Sequence, residues 1–388
     1  MWTRYVTGWK YLLPPAALAM LAFSVGCASI AAPLHPATLG SHDAGHATTM
    51  TTRAASRPAT VIPGLVARAS TSVVYVLGTT RRGSGASATR LFRSDNGGQT
   101  FFSVRVPVLR SARTGKALPV RALTFLSPAY GIAITGTSLQ PEPLLVTTDG
   151  ARSWHRVSLG SAGRVRAVAG GDGQAYALVL TCSQAGNCHD VRLYRSTVGS
   201  LSWSRVSAAG TAGAAGADLI SIAAWGSTVW LTVGNGETPA PALLVSTNSG
   251  RSFHREAALA AVACWQSADS LSVVWVTCSE GMSLAFVRFA SGVRRMLPVT
   301  GAGTGNTFLD PISGSTAIFG TALGNFVGLY ETRNGGRSFT KIGRLPGPSA
   351  GISTTVTFLT ARDGLGLVYG GPLLRTTDGG TTWVTVRL

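Results

Sequence analysis

The chain has 388 residues, is 45% hydrophobic and carries 48 glycines, enough length and apolar content for one large domain or two ordinary ones with a real core. Its 33 Lys and Arg against 15 Asp and Glu give a formal charge of +18, a surface drawn to anionic lipids, cell-wall polymers or acidic proteins in a salt-dependent way. Helix formers are scarce, and short Val, Leu, Ile and Phe runs between Gly, Ser and Thr exclude a helical bundle and point to an all-β chain with many turns.

Residues 1–26 read as a signal peptide. Arg4 and Lys10 precede an apolar run from Tyr11 to Val25, which Pro14 and Pro15 interrupt and which is short for a membrane span. Ser24-Val25-Gly26-Cys27 resembles a bacterial lipobox, which implies cleavage before Cys27 and lipidation of that residue. Ser24 stands where the motif usually has Leu, so ordinary signal-peptidase cleavage is the competing reading. Either route exports the chain, to the outer face of the cell membrane as a lipoprotein or into the medium. Cleavage removes Arg4 and Lys10 and lowers the charge from +18 to +16. Export argues against nucleic acid as a partner, and the chain has no basic motif interleaved with aromatic residues.

Cys27 and the stretch to about residue 60 form a flexible tether without Trp, Phe or Tyr, rich in Ala, Thr, Ser and Pro. A coil of that length holds a domain roughly 30 Å from its anchor. His35, His42 and His46 fall in it and read as solubilising residues rather than metal ligands. No metal or cofactor is expected.

From residue 61 onward, four short apolar runs recur every 40 to 50 residues. The second period shows the order as VRALTFLS, GIAITGT, PLLVTT and HRVSL, and the next two periods repeat it. Cys182, Cys188, Cys264 and Cys278 fall in the third and fifth periods, an even count that in an exported chain reads as two disulfides, Cys182–Cys188 and Cys264–Cys278. The spacings do not suit a paired zinc site.

Between the third and fourth runs sits an octamer: Ser94–Phe101, Thr147–Trp154, Ser196–Trp203, Ser246–Phe253, Thr332–Phe339 and Thr376–Trp383. Its frame is Ser/Thr, any, Asp/Asn, small, Gly/Ala, any, Ser/Thr, aromatic. The largest gap, between 246 and 332, is two periods and leaves room for a degraded copy near Phe286–Arg294. Four strands per period of this length are the mark of propeller blades.

These octamers resemble the Asp-box, or BNR repeat, of sialidases, of the photosystem II assembly factor family and of many exported bacterial propellers. The resemblance covers about residues 61–388 and implies a seven-bladed β-propeller of four-stranded antiparallel blades, with six or eight blades as alternatives. It implies that each octamer is the hairpin between a blade's third and fourth strands, on the outer rim. Asp149 and Asp378, and equally Asn96, Asn248 and Asn334, then accept backbone N–H bonds as turn makers. Glycine supplies positive φ, and Trp154, Trp203 and Trp383 cover the hairpin. A catalytic acid cannot become Asn or, as at Val198, Val, so the octamers read as structural.

A sialidase needs an arginine triad, a Tyr–Glu pair and an acid, and carries an FRIP-like motif. No FRIP occurs, and the opening of the first period, IPGLVARAS, offers only Arg68. Asp172, Asp218, Asp269, Asp310 and Asp363 read as turn residues, so no catalytic residue is assigned and a glycoside hydrolase is the second choice. His155 and His254 follow the octamer aromatic in two non-adjacent periods and read as exposed strand residues. Trp225, Trp230, Trp265 and Trp275 read as blade core or as a sugar-stacking platform. Arg68, Arg121 and Arg166 fall at similar points of the first strands, where three guanidiniums at a channel would bind an anion. The expected activity is binding or assembly with a protein or an anionic polymer. Fractionation checks the anchor: Cys27→Ala is expected to move the protein from the membrane to the soluble fraction, together with loss of the lipid mass.

Overall fold

The apolar runs are only 3 to 10 residues long, too short for isolated helices, and their β-branched and aromatic residues favour a pleated surface. In the computed structural model they pair into seven four-stranded antiparallel sheets, each from one contiguous stretch: residues 60–104, 120–157, 164–206, 219–258, 263–297, 307–346 and 354–386. The structure describes residues 60–388 apart from 82–86, 112–113, 137–142, 160–162, 183–187, 207–218, 235–241, 259–262, 269–272, 281–282, 291–292, 298–306, 324–325, 347–353 and 369. They belong to a compact unit running from Arg57 to Leu388. The leader, Cys27 and the tether lie outside the described residues.

Within each sheet the strand order follows the chain. The first strands lie innermost and touch from sheet to sheet, and Thr60–Arg68 of the first sheet meets the first strands of both the second sheet, Val120–Phe125, and the last, Thr354–Phe358. The fold is an all-β propeller with four-stranded antiparallel blades, numbered below in chain order. The degraded repeat falls on Ser283–Ala290 and Val293–Leu297, the third and fourth strands of blade 5.

A blade has two apolar faces and buries both only against its neighbours. Seven clusters do this, one per seam: Leu123 packs with Tyr75, Ile132 with Ala177, Leu178 with Leu231, Val274 with Ala223, Trp275 with Phe319, Leu329 with Phe358, and Val76 with Leu365. Trp230 and Trp275, at 5% and 0% exposure, belong to these cores rather than to a platform. The side chain of Trp265 lies outside the described residues.

The octamers show why Asp and Asn alternate. In blade 7, Thr376 Oγ1 donates to Asp378 Oδ1 at 2.8 Å and accepts the Gly380 N–H at 2.9 Å, while Asp378 Oδ1 accepts the Thr382 N–H at 2.9 Å. The same three bonds recur around Asp149 and, with Asn as the hub, around Asn96, Asn248 and Asn334. Only the fourth bond changes. The Thr382 and Ser153 hydroxyls donate to the second Asp oxygen, both at 2.6 Å, whereas the Asn248 amide donates to Ser252 Oγ at 2.8 Å. A hydroxyl serves as donor or acceptor, so the hairpin accommodates both residues.

The bonds from Thr382 pull the Asp378 carboxyl down to about 2. Slight burial works against the same shift at Asp149, but bonds from Ser153, Thr147 and Arg152 bring it to about 2 as well.

The aromatic slot does more than cover its own hairpin, which corrects the sequence reading. Phe101, Trp154, Trp203, Phe253, Phe339 and Trp383 each join the cluster shared with the preceding blade. Trp154 Nε1 donates to the carbonyl of Arg105, just past blade 1, at 2.8 Å. The fifth slot presses the same way: a Cβ on Gly380 would sit 2.8 Å from Leu329 of blade 6, and φ there is +93°. By denaturant unfolding, Asp378→Asn is expected to stay within about 0.5 kcal/mol of the parent and Asp378→Ala to lose about 1–2 kcal/mol. Gly380→Ala is expected to lose about 1–3 kcal/mol from strain and contact together.

Candidate functional site

Several seams also carry polar latches that sequence reasoning missed. Tyr75, Tyr130 and Tyr176, near the start of second strands, donate to the carbonyls of Pro128, Ser200 and Gly226 in the following blade at 2.8, 3.1 and 2.9 Å. Burial pushes the Tyr75 phenol up to about 12 against the pull of Arg93, so it stays a donor. The residue just before the octamer reaches the same way: Arg93 donates to Pro128 O at 3.2 Å and Arg375 to Gly97 O at 3.0 Å. Arg288 of blade 5 does so to Gly314 O at 2.8 Å. The visible signal was an Arg directly before the first octamer slot, in Arg93-Ser94, Arg195-Ser196 and Arg375-Thr376.

A propeller presents its first strands to the central channel. Of the three arginines proposed to meet there, two occupy equivalent places. Arg121 lies between Val120 and Ala122, and Arg166 between Val165 and Ala167, at register shifts where a bulge turns one residue out of the ladder. Both are exposed, and Arg121 Nη2 donates to Val165 O of blade 3 at 3.3 Å. Arg68 is not at that point. It ends its strand, opposite Val74, while the shift in blade 1 falls at Gly64, so Arg68 belongs to the opposite end of the channel. The sequence conceals this, because the bulges change the spacing along each strand.

At that other end Arg68 joins a different constellation. Its Nη1 donates to Phe358 O at 2.6 Å, and the Phe358 N–H donates to Asp310 Oδ2. Asp310 lies on Thr307–Pro311, the inner strand of blade 6, and not in a turn as its neighbours in sequence suggested. One main-chain position of blade 7 is thereby held by an acid from blade 6 and a base from blade 1. Burial pushes the Asp310 carboxyl up to about 6, with Arg68 and the Phe358 N–H pulling it down.

His155 and His254 are both exposed and engage only local partners, Ser153 Oγ at 3.2 Å and Glu256 at 3.7 Å. Among the described residues no group of three or more His, Cys, Asp or Glu could hold a metal. The backbone pairs Cys182 with Cys188 and Cys264 with Cys278 across antiparallel strands. The four side chains lie outside the described residues.

No protein-family model and no curated protein matches the sequence. Solved structures do match. YCF48 from Cyanidioschyzon merolae is similar over 82% of this chain and 96% of its own, at 17% identity and a TM-score of 0.51. YCF48 bound to D1 peptide is similar over 83% and 93%, at 15% identity and a TM-score of 0.50. The polysaccharide lyase ulvan lyase is similar over 85% and 94%, at 9% identity and a TM-score of 0.52. At such identities the likeness is one of fold.

Asp310 makes stability depend on pH. The folded chain holds this proton more tightly than the unfolded one, so the group's contribution is full below the ordinary carboxylate value of 3.8 and is lost as pH rises through about 6. Melting followed from pH 4 to 7 is expected to fall by the equivalent of about 1–3 kcal/mol from this group, and Asp310→Asn to flatten that slope.

Proposed function

We propose that the chain is an exported, lipid-anchored Asp-box propeller of seven blades that acts as a non-catalytic binding or assembly module for an anionic partner, a protein segment or a polymer, taken at the channel. One observation carries this reading. The seven inner strands hold four arginines, Arg68, Arg121, Arg164 and Arg166, and a single carboxylate, Asp310. That carboxylate is already engaged with the Phe358 N–H. Glycan hydrolysis by paired carboxylates needs a second, facing one, whereas an excess of guanidiniums suits carboxylate, sulfate or phosphate.

The neighbour bound to D1 peptide shows that a propeller of this shape takes up a protein segment, which supports the same reading. Ulvan lyase, equally similar in fold, keeps glycan cleavage as the competing reading. The cysteine pairs fit an oxidising compartment, since directly opposed antiparallel residues sit about 4.5–5.5 Å apart at Cα, within disulfide reach.

Purified protein is expected to leave fluorogenic sialosides and β-glucosides intact. It is expected to bind polyglutamate with an affinity that falls steeply with salt, and Arg121→Ala with Arg166→Ala is expected to weaken that binding about fivefold or more. Glycoside turnover that Asp310→Asn abolishes would sink the binding reading.

A further inference from the structure

A second cationic site lies away from the channel, on the seam between blades 1 and 2. An open groove of about 600 Å³ is lined by Arg93, Asp95, Phe102, Arg105, Gly150 and Arg152. Its floor is fixed by main chain, because the Arg105 N–H donates to Ala151 O at 3.0 Å and Arg105 O accepts the Trp154 indole. Arg93 is neutralised by Asp95 at 2.7 Å and tied to Tyr75 and Pro128. The guanidiniums of Arg105 and Arg152 are exposed and have no ion pair among the described residues, so the groove keeps two uncompensated positive charges.

Phe102 stands beside them at 49% exposure, one of few large apolar side chains left in water. It opens Phe102–Val104, the outermost strand of blade 1, which among the described residues pairs with Leu91–Arg93 alone and leaves its other edge open.

We propose that this groove docks an extended acidic peptide segment of a partner protein. Its carboxylates would meet Arg105 and Arg152, an apolar side chain would cover Phe102, and its backbone would run along the free strand edge. A peptide can satisfy a strand edge, a ring and two cations together, whereas a sulfated glycan matches only the cations and the ring. The site is independent of the channel reading, since none of its residues lies on an inner strand.

Full-length protein titrated with a fluorescein-labelled peptide of alternating Glu and Leu tests this, with a Lys-Leu peptide and a heparin oligosaccharide as comparisons. The acidic peptide is expected to bind saturably and the Lys-Leu peptide not. Arg105→Glu with Arg152→Glu is expected to cost about tenfold or more in affinity, and Phe102→Ser about threefold. All three side chains are solvent-exposed, and unchanged melting will confirm that the variants fold. Arg121→Ala with Arg166→Ala is expected to leave peptide affinity within about twofold. Three results would overturn the groove: no saturable peptide binding, indifference to the charge reversal, or loss of binding in the channel variant. Heparin binding that exceeds peptide binding and vanishes on charge reversal would assign the groove to a glycan instead.

Discussion

Every sheet of this propeller is made from one contiguous stretch of chain, so no strand is shared between neighbours and the seams are closed mainly by side chains, with isolated main-chain bonds such as Arg105 N–H to Ala151 O and Gly226 N–H to Gly171 O beside them. Two sets do it, pointing opposite ways. The octamer aromatic and the fifth-slot residue press back on the blade before, while the second-strand tyrosines and the arginines ahead of the octamer reach forward to carbonyls of the blade after. The demand is greatest where blade 7 meets blade 1, since no linker joins them. There Arg68 bonds to Phe358 O, Arg375 to Gly97 O, and Val74 and Val76 pack on Leu359, Leu365 and Leu373.

Much of this was legible in the sequence because the octamer is a local device. Its hydroxyl, Asx and glycine slots bond within four residues of one another, so their spacing carries the information. What escaped was information held between blades. Nothing local marks Trp154 as a partner of Arg105, or Tyr130 as a partner of Ser200, because those contacts span 49 and 70 residues. The arginine hypothesis failed in part for a related reason. The bulge falls at Arg121 and at Arg166 but at Gly64 in blade 1, and Arg68 stands at the other end of its strand. Asp310 reads in sequence as a turn residue, although it lies on an inner strand that Pro311 ends.

The carboxylates explain the character of the surface. Most of those described are engaged close to home: Asp149 and Asp378 in their hairpins, Asp95 with Arg93, Glu331 with Arg333, Asp363 with Thr360 and Arg375. Few remain to balance the arginines on the inner strands or at the first seam. The inner strands and the rim groove therefore each keep an excess of positive charge, and the two places differ in kind. One is a ring of strands seen from within, the other an open edge with an aromatic beside it.

The interchange of Asp and Asn has a consequence for the isoelectric character of the molecule. Because a hydroxyl can turn round to meet either residue, each octamer with an Asp or Asn hub offers a site where one unit of negative charge can be added or withdrawn while the hairpin keeps its bonds. Three of the hubs described are Asn and two are Asp. The charge of the face that carries these hairpins can thus shift one unit at a time through substitutions that keep the hairpin bonds, so the ionic strength at which such a propeller holds an anionic partner is adjustable in small steps independently of its architecture.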